Sequence, residues 1–93
     1  MIKSFKGKAE QAVFSGACPK GFPPDLLKTA RRKLRMLDAA TQLEDLRSPP
    51  GNSLKALTGN LVGQYSIRIN DQFRIIFRWR GQNAEDVAIV DYH

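Results

Sequence analysis

Residues able to transfer protons stand together at the end of the sequence. The last three residues are Asp91, Tyr92 and His93, and His93 is the only histidine among the 93 residues. Imidazole is the one unperturbed side chain that changes its charge between about pH 5 and pH 8. The tripeptide is therefore a candidate acid–base site, although a terminal histidine with no chemical role would give the same sequence.

Arginines that alternate with apolar residues form a second set of candidates. They occur in two neighbouring stretches, residues 65–69 and 73–80, where every charge except that of the joining turn is a guanidinium. Arginine binds phosphate through two hydrogen bonds and stacks on bases, so a sheet face lined with arginine is suited to RNA. A basic face that meets an acidic protein partner explains the pattern equally well. The four residues are Arg68, Arg74, Arg78 and Arg80.

The alternation predicts an antiparallel sheet that sorts these side chains onto two faces, because successive residues of a strand point to opposite sides. The predicted strands are residues 65–69, 73–80 and 87–92, and the turns between them are residues 70–72 and 81–83. We expect the arginines on one face and a buried apolar set on the other. That set is Tyr65, Ile67, Ile69, Phe73, Ile75, Phe77 and Trp79.

The same alternation applies to the end of the chain. In a regular last strand, Asp91 and His93 point to one face and Tyr92 points to the other. We expect Asp91 and His93 to lie on the arginine face, where they would be close to a bound phosphate.

Two helices are expected before the sheet. Residues 9–14 have the composition of a short helix, and residues 25–40 form a strongly amphipathic one that follows two prolines. Its apolar stripe consists of Leu26, Leu27, Ala30, Leu34 and Leu37, and its basic stripe consists of Lys28, Arg31, Arg32 and Arg35. Basic residues on the outside of a helix are common, so we assign the stripe only a supporting contact with RNA phosphates.

Three shorter signals complete the local pattern. Residues 2–5 alternate like a short strand. Thr41 and Glu44 have the spacing of a capping box, which predicts a further helical turn. Residues 47–52 contain two prolines and a glycine, so we expect a loop there.

The composition limits the class of protein. With 15 Lys and Arg against 9 Asp and Glu, the chain carries a formal net charge of +6, which points to an anionic partner. No apolar run approaches the roughly 18–20 residues that span a bilayer, and the first residues lack the apolar core of a signal peptide. Cys18 is the single cysteine, so it forms neither an internal disulfide nor a multi-thiolate metal site.

We therefore expect one domain over residues 1–93 of the α+β class, in which N-terminal helices pack on one face of a small curved antiparallel sheet. We expect a cytoplasmic protein without metal, cofactor or membrane partner.

Several segments taken together resemble the HigB-type toxins, which belong to the RelE/ParE superfamily of bacterial toxin–antitoxin systems and are often called plasmid-maintenance killer proteins. The segments are residues 1–5, 54–59, 66–70 and 73–75, and the terminal Asp91-Tyr92-His93. The resemblance runs from the first residue to the last in order, and residues 37–41 and 48–52 are similar to the GraT-like branch.

The resemblance implies a RelE-like fold and a ribosome-dependent endonuclease that cuts mRNA in the A site of the 70S ribosome. It also implies neutralisation by a helix-turn-helix antitoxin of the HigA type, through which operator DNA is bound only indirectly. By this resemblance Arg74 would hold the scissile phosphate, His93 and Asp91 would be acid or base candidates, and Tyr92 would orient a nucleotide. RNA cleavage without a metal needs such groups, because the 2′-hydroxyl must lose a proton and the leaving oxygen must gain one.

One position departs from the family pattern. Many HigB-type sequences carry a histidine where this chain has Lys55, and a lysine where it has Thr58. A lysine acts as a base only if its pKa is lowered by several units, so we expect Lys55 to contribute charge to RNA binding, together with the arginines of the sheet. The enzyme would then be slower than its relatives, with His93 carrying most of the proton transfer.

Two alternatives remain open from the sequence. The first is a toxin that binds a protein target without cutting RNA, as the ParE branch does with DNA gyrase. The second is a weakened toxin whose main role is to bind its antitoxin in a DNA-bound autorepressor.

Overall fold

The computed structural model describes residues 1–91. Within this range two α-helices, α1 (Lys8–Ser15) and α2 (Leu27–Ala39), precede a four-stranded antiparallel sheet in the order β1-β2-β3-β4. The strands are β1 (Lys55–Ala56), β2 (Gln64–Arg68), β3 (Phe73–Arg80) and β4 (Asn83–Asp91). The predicted α+β class with N-terminal helices on one face of the sheet is confirmed. None of the helices in residues 1–91 has the length and apolar character needed to cross a membrane.

Helix α2 follows from its apolar spacing. A single 3-10 turn at Pro24–Leu26 leads into its 13 residues, and proline suits this position because a first turn needs no N–H from it. Ala30, Leu34 and Leu37 are fully buried. They join one core cluster with the sheet, and burying each leucine contributes roughly 1.5–3 kcal/mol.

The apolar face of the sheet is confirmed at its centre. The register pairs Ile67 with Ile75 and Tyr65 with Phe77, which places these side chains on a common face. Ile67, Ile75 and Phe77 are fully buried. Ile69 is also in the core, while Tyr65, Phe73 and Trp79 pack against its margin.

The predicted strand at residues 2–5 is wrong in its extent. Only Ile2 and Phe5 form bridges to β4, pairing in parallel with Ala84 and Val87. Between these two bridges the pairing with β4 is interrupted at Asp86, which has a positive φ of 53°. Asp86 donates its backbone N–H to the Ser4 hydroxyl instead. The segment nevertheless covers the open edge of β4.

The predicted cap after α2 is displaced by one residue. The 3-10 helix spans Leu43–Arg47, so its N-cap is Gln42 and not Thr41. The Asp45 carboxylate, not that of Glu44, accepts the backbone N–H groups of Gln42 and Thr41, both at 3.0 Å. These two hydrogen bonds, that of Gln42 first, lower the pKa of Asp45.

Candidate nucleic-acid interface

The second face of the sheet gathers cations from three strands. Arg68 of β2 pairs with Arg74 of β3, and Lys55 of β1 pairs with Ser66 of β2. Directly paired residues in antiparallel strands project to the same side, so Lys55, Arg68 and Arg74 share this face. Arg78 pairs with Gln64 and lies on it too. Arg80 follows Arg78 by two residues in β3 and so falls on the same side. The predicted arginine face is therefore present, and we call it the cationic face.

Arg74 is the most constrained of these side chains, because only 8% of the residue is exposed. Its Nε donates to the Ser66 hydroxyl at 2.9 Å, and its Nη2 donates to the Ser53 carbonyl at 2.6 Å. Two hydrogen bonds from different nitrogens fix the plane of the guanidinium, which gives it the preorganisation that electrostatic catalysis requires. Neither serine has a pattern that marks it in the sequence.

The other three arginines make ion pairs with nearby carboxylates. Arg68 pairs with Asp71, Arg78 with Asp86 at 3.5 Å, and Arg80 with Glu85 at 3.2 Å. Sequence reasoning missed the last two pairs because it began the final strand at residue 87, whereas Glu85 and Asp86 lie within β4. Exposed ion pairs contribute only about 0–1 kcal/mol, so a polyanion can replace these carboxylates at little cost.

Lys33 is a further cation that sequence reasoning missed. It lies on α2, yet only 5% of it is exposed, and its Nζ donates to the side-chain oxygen of Asn52. Burial, followed by the charges of Arg32 and Arg68, lowers the pKa of Lys33. The helical spacing could have predicted this burial, because Lys33 stands three residues after Ala30 and so falls on the buried side of α2.

The basic stripe of α2 forms a separate surface. Its residues line a groove of about 490 Å³ together with Pro24 and Leu27. The stripe consists of Lys28, Arg31, Arg32 and Arg35. It faces away from the core that α2 shares with the sheet, as an amphipathic helix requires, and an RNA contact there remains a prediction.

The end of β4 corrects one expectation. The register pairs Asp91 with Phe73 and Val90 with Arg74, so Asp91 belongs to the side of Phe73 and not to the cationic face. Its carboxylate accepts a hydrogen bond of 3.0 Å from the Gln72 side chain. Alternation shows which residues of a strand share a side. Only the pairing with a neighbouring strand decides whether that side is the apolar or the cationic face of the sheet. Tyr92 and His93 lie outside the described residues, so their roles remain predictions.

Comparison with known proteins agrees with the resemblance seen in the sequence. Residues 3–93 match the model of a family described as the RelE-like toxin of the type II toxin–antitoxin system HigB. The chain is 51% identical to Toxin HigB-1 of Vibrio cholerae over 93 residues, which cover 99% of this chain and 94% of that protein. It is 30% identical to Endoribonuclease HigB of Proteus vulgaris over 93 residues, with both chains fully covered.

Solved structures show the same fold in more distant proteins. The chain is similar to the toxin–antitoxin structure titled YoeB-YefM complex from Staphylococcus aureus, with a TM-score of 0.63 and 19% identity, covering 100% of this chain and 98% of the other. It is also similar to a structure titled YoeB/ParE toxin from Agrobacterium tumefaciens, with a TM-score of 0.61 and 14% identity over the whole of both chains.

Proposed function

The chain belongs to the HigB-like family of RelE-like toxins of type II toxin–antitoxin systems, and we propose that it is a ribosome-dependent endoribonuclease that cuts mRNA and so inhibits translation. The observation that carries this proposal is Arg74, which is held by Ser66 and Ser53 within the cationic face. The name of the Proteus vulgaris relative, Endoribonuclease HigB, supports the same activity.

The proposed reaction is attack of a 2′-hydroxyl on the adjacent phosphate, with departure of the 5′-oxygen and no metal ion. Arg74 holds the phosphate and stabilises the negative charge that develops on it. His93 exchanges the protons and Tyr92 orients a nucleotide. Asp91 lies on the side of Phe73, so it takes part only if the end of β4 bends toward the cationic face. Lys55, Arg68, Arg78 and Arg80 bind the RNA backbone around this centre, and the basic stripe of α2 contacts further phosphates.

The proposed partners are an antitoxin, the 70S ribosome and mRNA. Membership of a toxin–antitoxin family supports an antitoxin, and the Staphylococcus aureus neighbour is itself a toxin–antitoxin complex. That the antitoxin is a HigA-type helix-turn-helix protein, which alone contacts operator DNA, is part of the proposal. So is action in the cytoplasm, where ribosomes translate mRNA.

Mapping of mRNA ends after induction of the chain tests the function. We expect new 5′ ends within codons of translated messages, and we expect Arg74→Ala and His93→Ala to remove them and restore growth. Arg47→Ala is the matched control, because Arg47 is an exposed arginine outside the sheet. Full toxicity of both site variants would overturn the assignment of the site.

The same experiment separates the alternatives. The substitution of the family histidine by Lys55 is the observation that favours a toxin without nuclease activity. A gyrase inhibitor of the ParE kind would stop replication and induce DNA damage before translation falls. Tight antitoxin binding with no cleavage on ribosomes would instead identify a weakened toxin that acts as an autorepressor.

A further inference from the structure

Lys33 is an unusual buried residue because its hydrogen-bond partner is neutral. A buried lysine normally pairs with a carboxylate, since taking an ammonium group out of water is costly. Here Nζ donates to the amide oxygen of Asn52, a residue that is itself fully buried. Packing alone would be served as well by an apolar side chain of the same length. The ammonium donor of Lys33 therefore indicates that the orientation of its partner, the Asn52 amide, matters.

The donor sets the orientation of the Asn52 amide. Lysine has only donors, so the amide oxygen must face it and the amide nitrogen must point the other way. That nitrogen donates to the carbonyls of Leu46 at 3.1 Å and Ser48 at 3.4 Å, and also to the sulfur of Met36 on α2 at 3.2 Å. Lys33 thus ties the loop at residues 48–53 to helix α2 through a single amide group.

The loop in turn presents an oxygen to Arg74. The backbone N–H of Asn52 donates to Pro49 at 2.9 Å, and that of Ser53 donates to Pro50 at 3.1 Å. Ser53 has a φ of 46°, in the left-handed region, which a residue other than glycine adopts only when its surroundings hold it there. The carbonyl oxygen of Ser53 then accepts a hydrogen bond from Nη2 of Arg74.

We propose that Lys33 and Asn52 are positioning residues for Arg74. They hold the Ser53 carbonyl in place, and this carbonyl together with the Ser66 hydroxyl fixes the guanidinium plane in the direction of the scissile phosphate. The inference rests on the proposed function for the effect on cleavage, but the contact chain from α2 to Arg74 can be tested without it.

The cleavage test uses Lys33→Met, which keeps an unbranched side chain, one atom shorter, and removes its donor. We expect kcat for mRNA on ribosomes to fall about tenfold or more while KM changes little, because small displacements of a catalytic group cost rate more than binding. We expect Lys33→Gln, which retains a donor, to recover part of kcat. Lys8→Met is the matched control, because Lys8 is an exposed lysine of α1.

A second readout does not depend on activity. In ¹⁵N spectra the Nε–H signal of Arg74, assigned by its loss in Arg74→Lys, should shift or broaden in Lys33→Met and stay unchanged in Lys8→Met. Asn52→Asp is a second variant in case Lys33→Met does not fold, since it keeps an acceptor for Lys33 and removes both amide donors. We expect it to disturb the same signal.

The outcomes separate this inference from the proposed function. If Arg74→Ala abolishes cleavage while Lys33→Met and Asn52→Asp keep the wild-type kcat and Nε–H signal, the positioning role is wrong and the function stands. If the wild-type chain cuts no mRNA, the proposed function fails. An unchanged Nε–H signal would then overturn the positioning role as well, and a disturbed one would support it.

Discussion

Replacement of Arg74 by lysine tests whether the shape of the guanidinium matters in addition to its charge. Lysine keeps the positive charge but has one nitrogen at the end of a flexible chain, whereas arginine spreads three nitrogens over a plane. The hydrogen bonds to Ser66 and Ser53 leave from Nε and Nη2, so a single ammonium group cannot reproduce their geometry. We expect Arg74→Lys to lose both stability and cleavage.

The size of the stability change follows from the burial of Ser66. The Ser66 residue is fully buried, so its hydroxyl has no route to water when the Nε donor is removed. An unsatisfied buried polar group costs about 1–3 kcal/mol, so we expect the free energy of unfolding to fall by about 2 kcal/mol. In a domain of this size that corresponds to a decrease in Tm of roughly 10 °C.

The expected loss of activity is larger. Removing one preorganised donor to a developing negative charge lowers kcat by about 10²–10³-fold in other enzymes, and we expect the same range for cleavage of mRNA on ribosomes. Urea unfolding measures the change in the free energy of unfolding, and mapping of cleaved mRNA with time measures the change in kcat. Both use folded variants of the whole chain.

Ser66→Ala is the matched variant, because it removes the acceptor of Nε and leaves the arginine intact. In a double-mutant cycle, Arg74→Lys should destabilise the Ser66→Ala background less than the wild type, with a coupling of about 0.5–3 kcal/mol. Unchanged stability and full cleavage in Arg74→Lys would refute the idea that a fixed guanidinium plane defines the site.

Two further predictions concern the fold and its dependence on pH. Leu34→Ala, at a fully buried position of α2, should lower the free energy of unfolding by about 2–5 kcal/mol in urea titrations, whereas Leu61→Ala, at an exposed position, should change it by less than about 0.5 kcal/mol. Burial lowers the pKa of Lys33 from its usual 10.5, with Arg32 and Arg68 adding to the effect, so the folded protein loses this proton before the unfolded chain does. Wild type should therefore gain stability relative to Lys33→Met as the pH rises from the lowered pKa toward 10.5. If the difference in free energy of unfolding between the two proteins, measured by urea titration, stays constant over this pH range, the lowered pKa of Lys33 is contradicted.

The sequence determined the two α-helices, the central strands β2 and β3, and much of the cationic face. Alternation with period two separates Ile67, Ile75 and Phe77 from the arginines between them, and this holds for any strand because successive side chains point to opposite sides. The three-residue spacing of Leu34 and Leu37 likewise separates the apolar side of α2 from its charged side. These properties depend on neighbours a few residues apart, so they can be predicted before the chain is folded.

The tertiary structure decided which atoms constrain Arg74 and which face each set of side chains takes. Asn52 is 19 residues from Lys33 and Ser53 is 21 residues from Arg74, so no local period marks these contacts. Asp91 lies opposite Phe73 because of the register between β3 and β4, which a single strand does not specify. The types of residue available for chemistry are local properties of the chain, whereas their orientation depends on contacts between segments that only folding brings together.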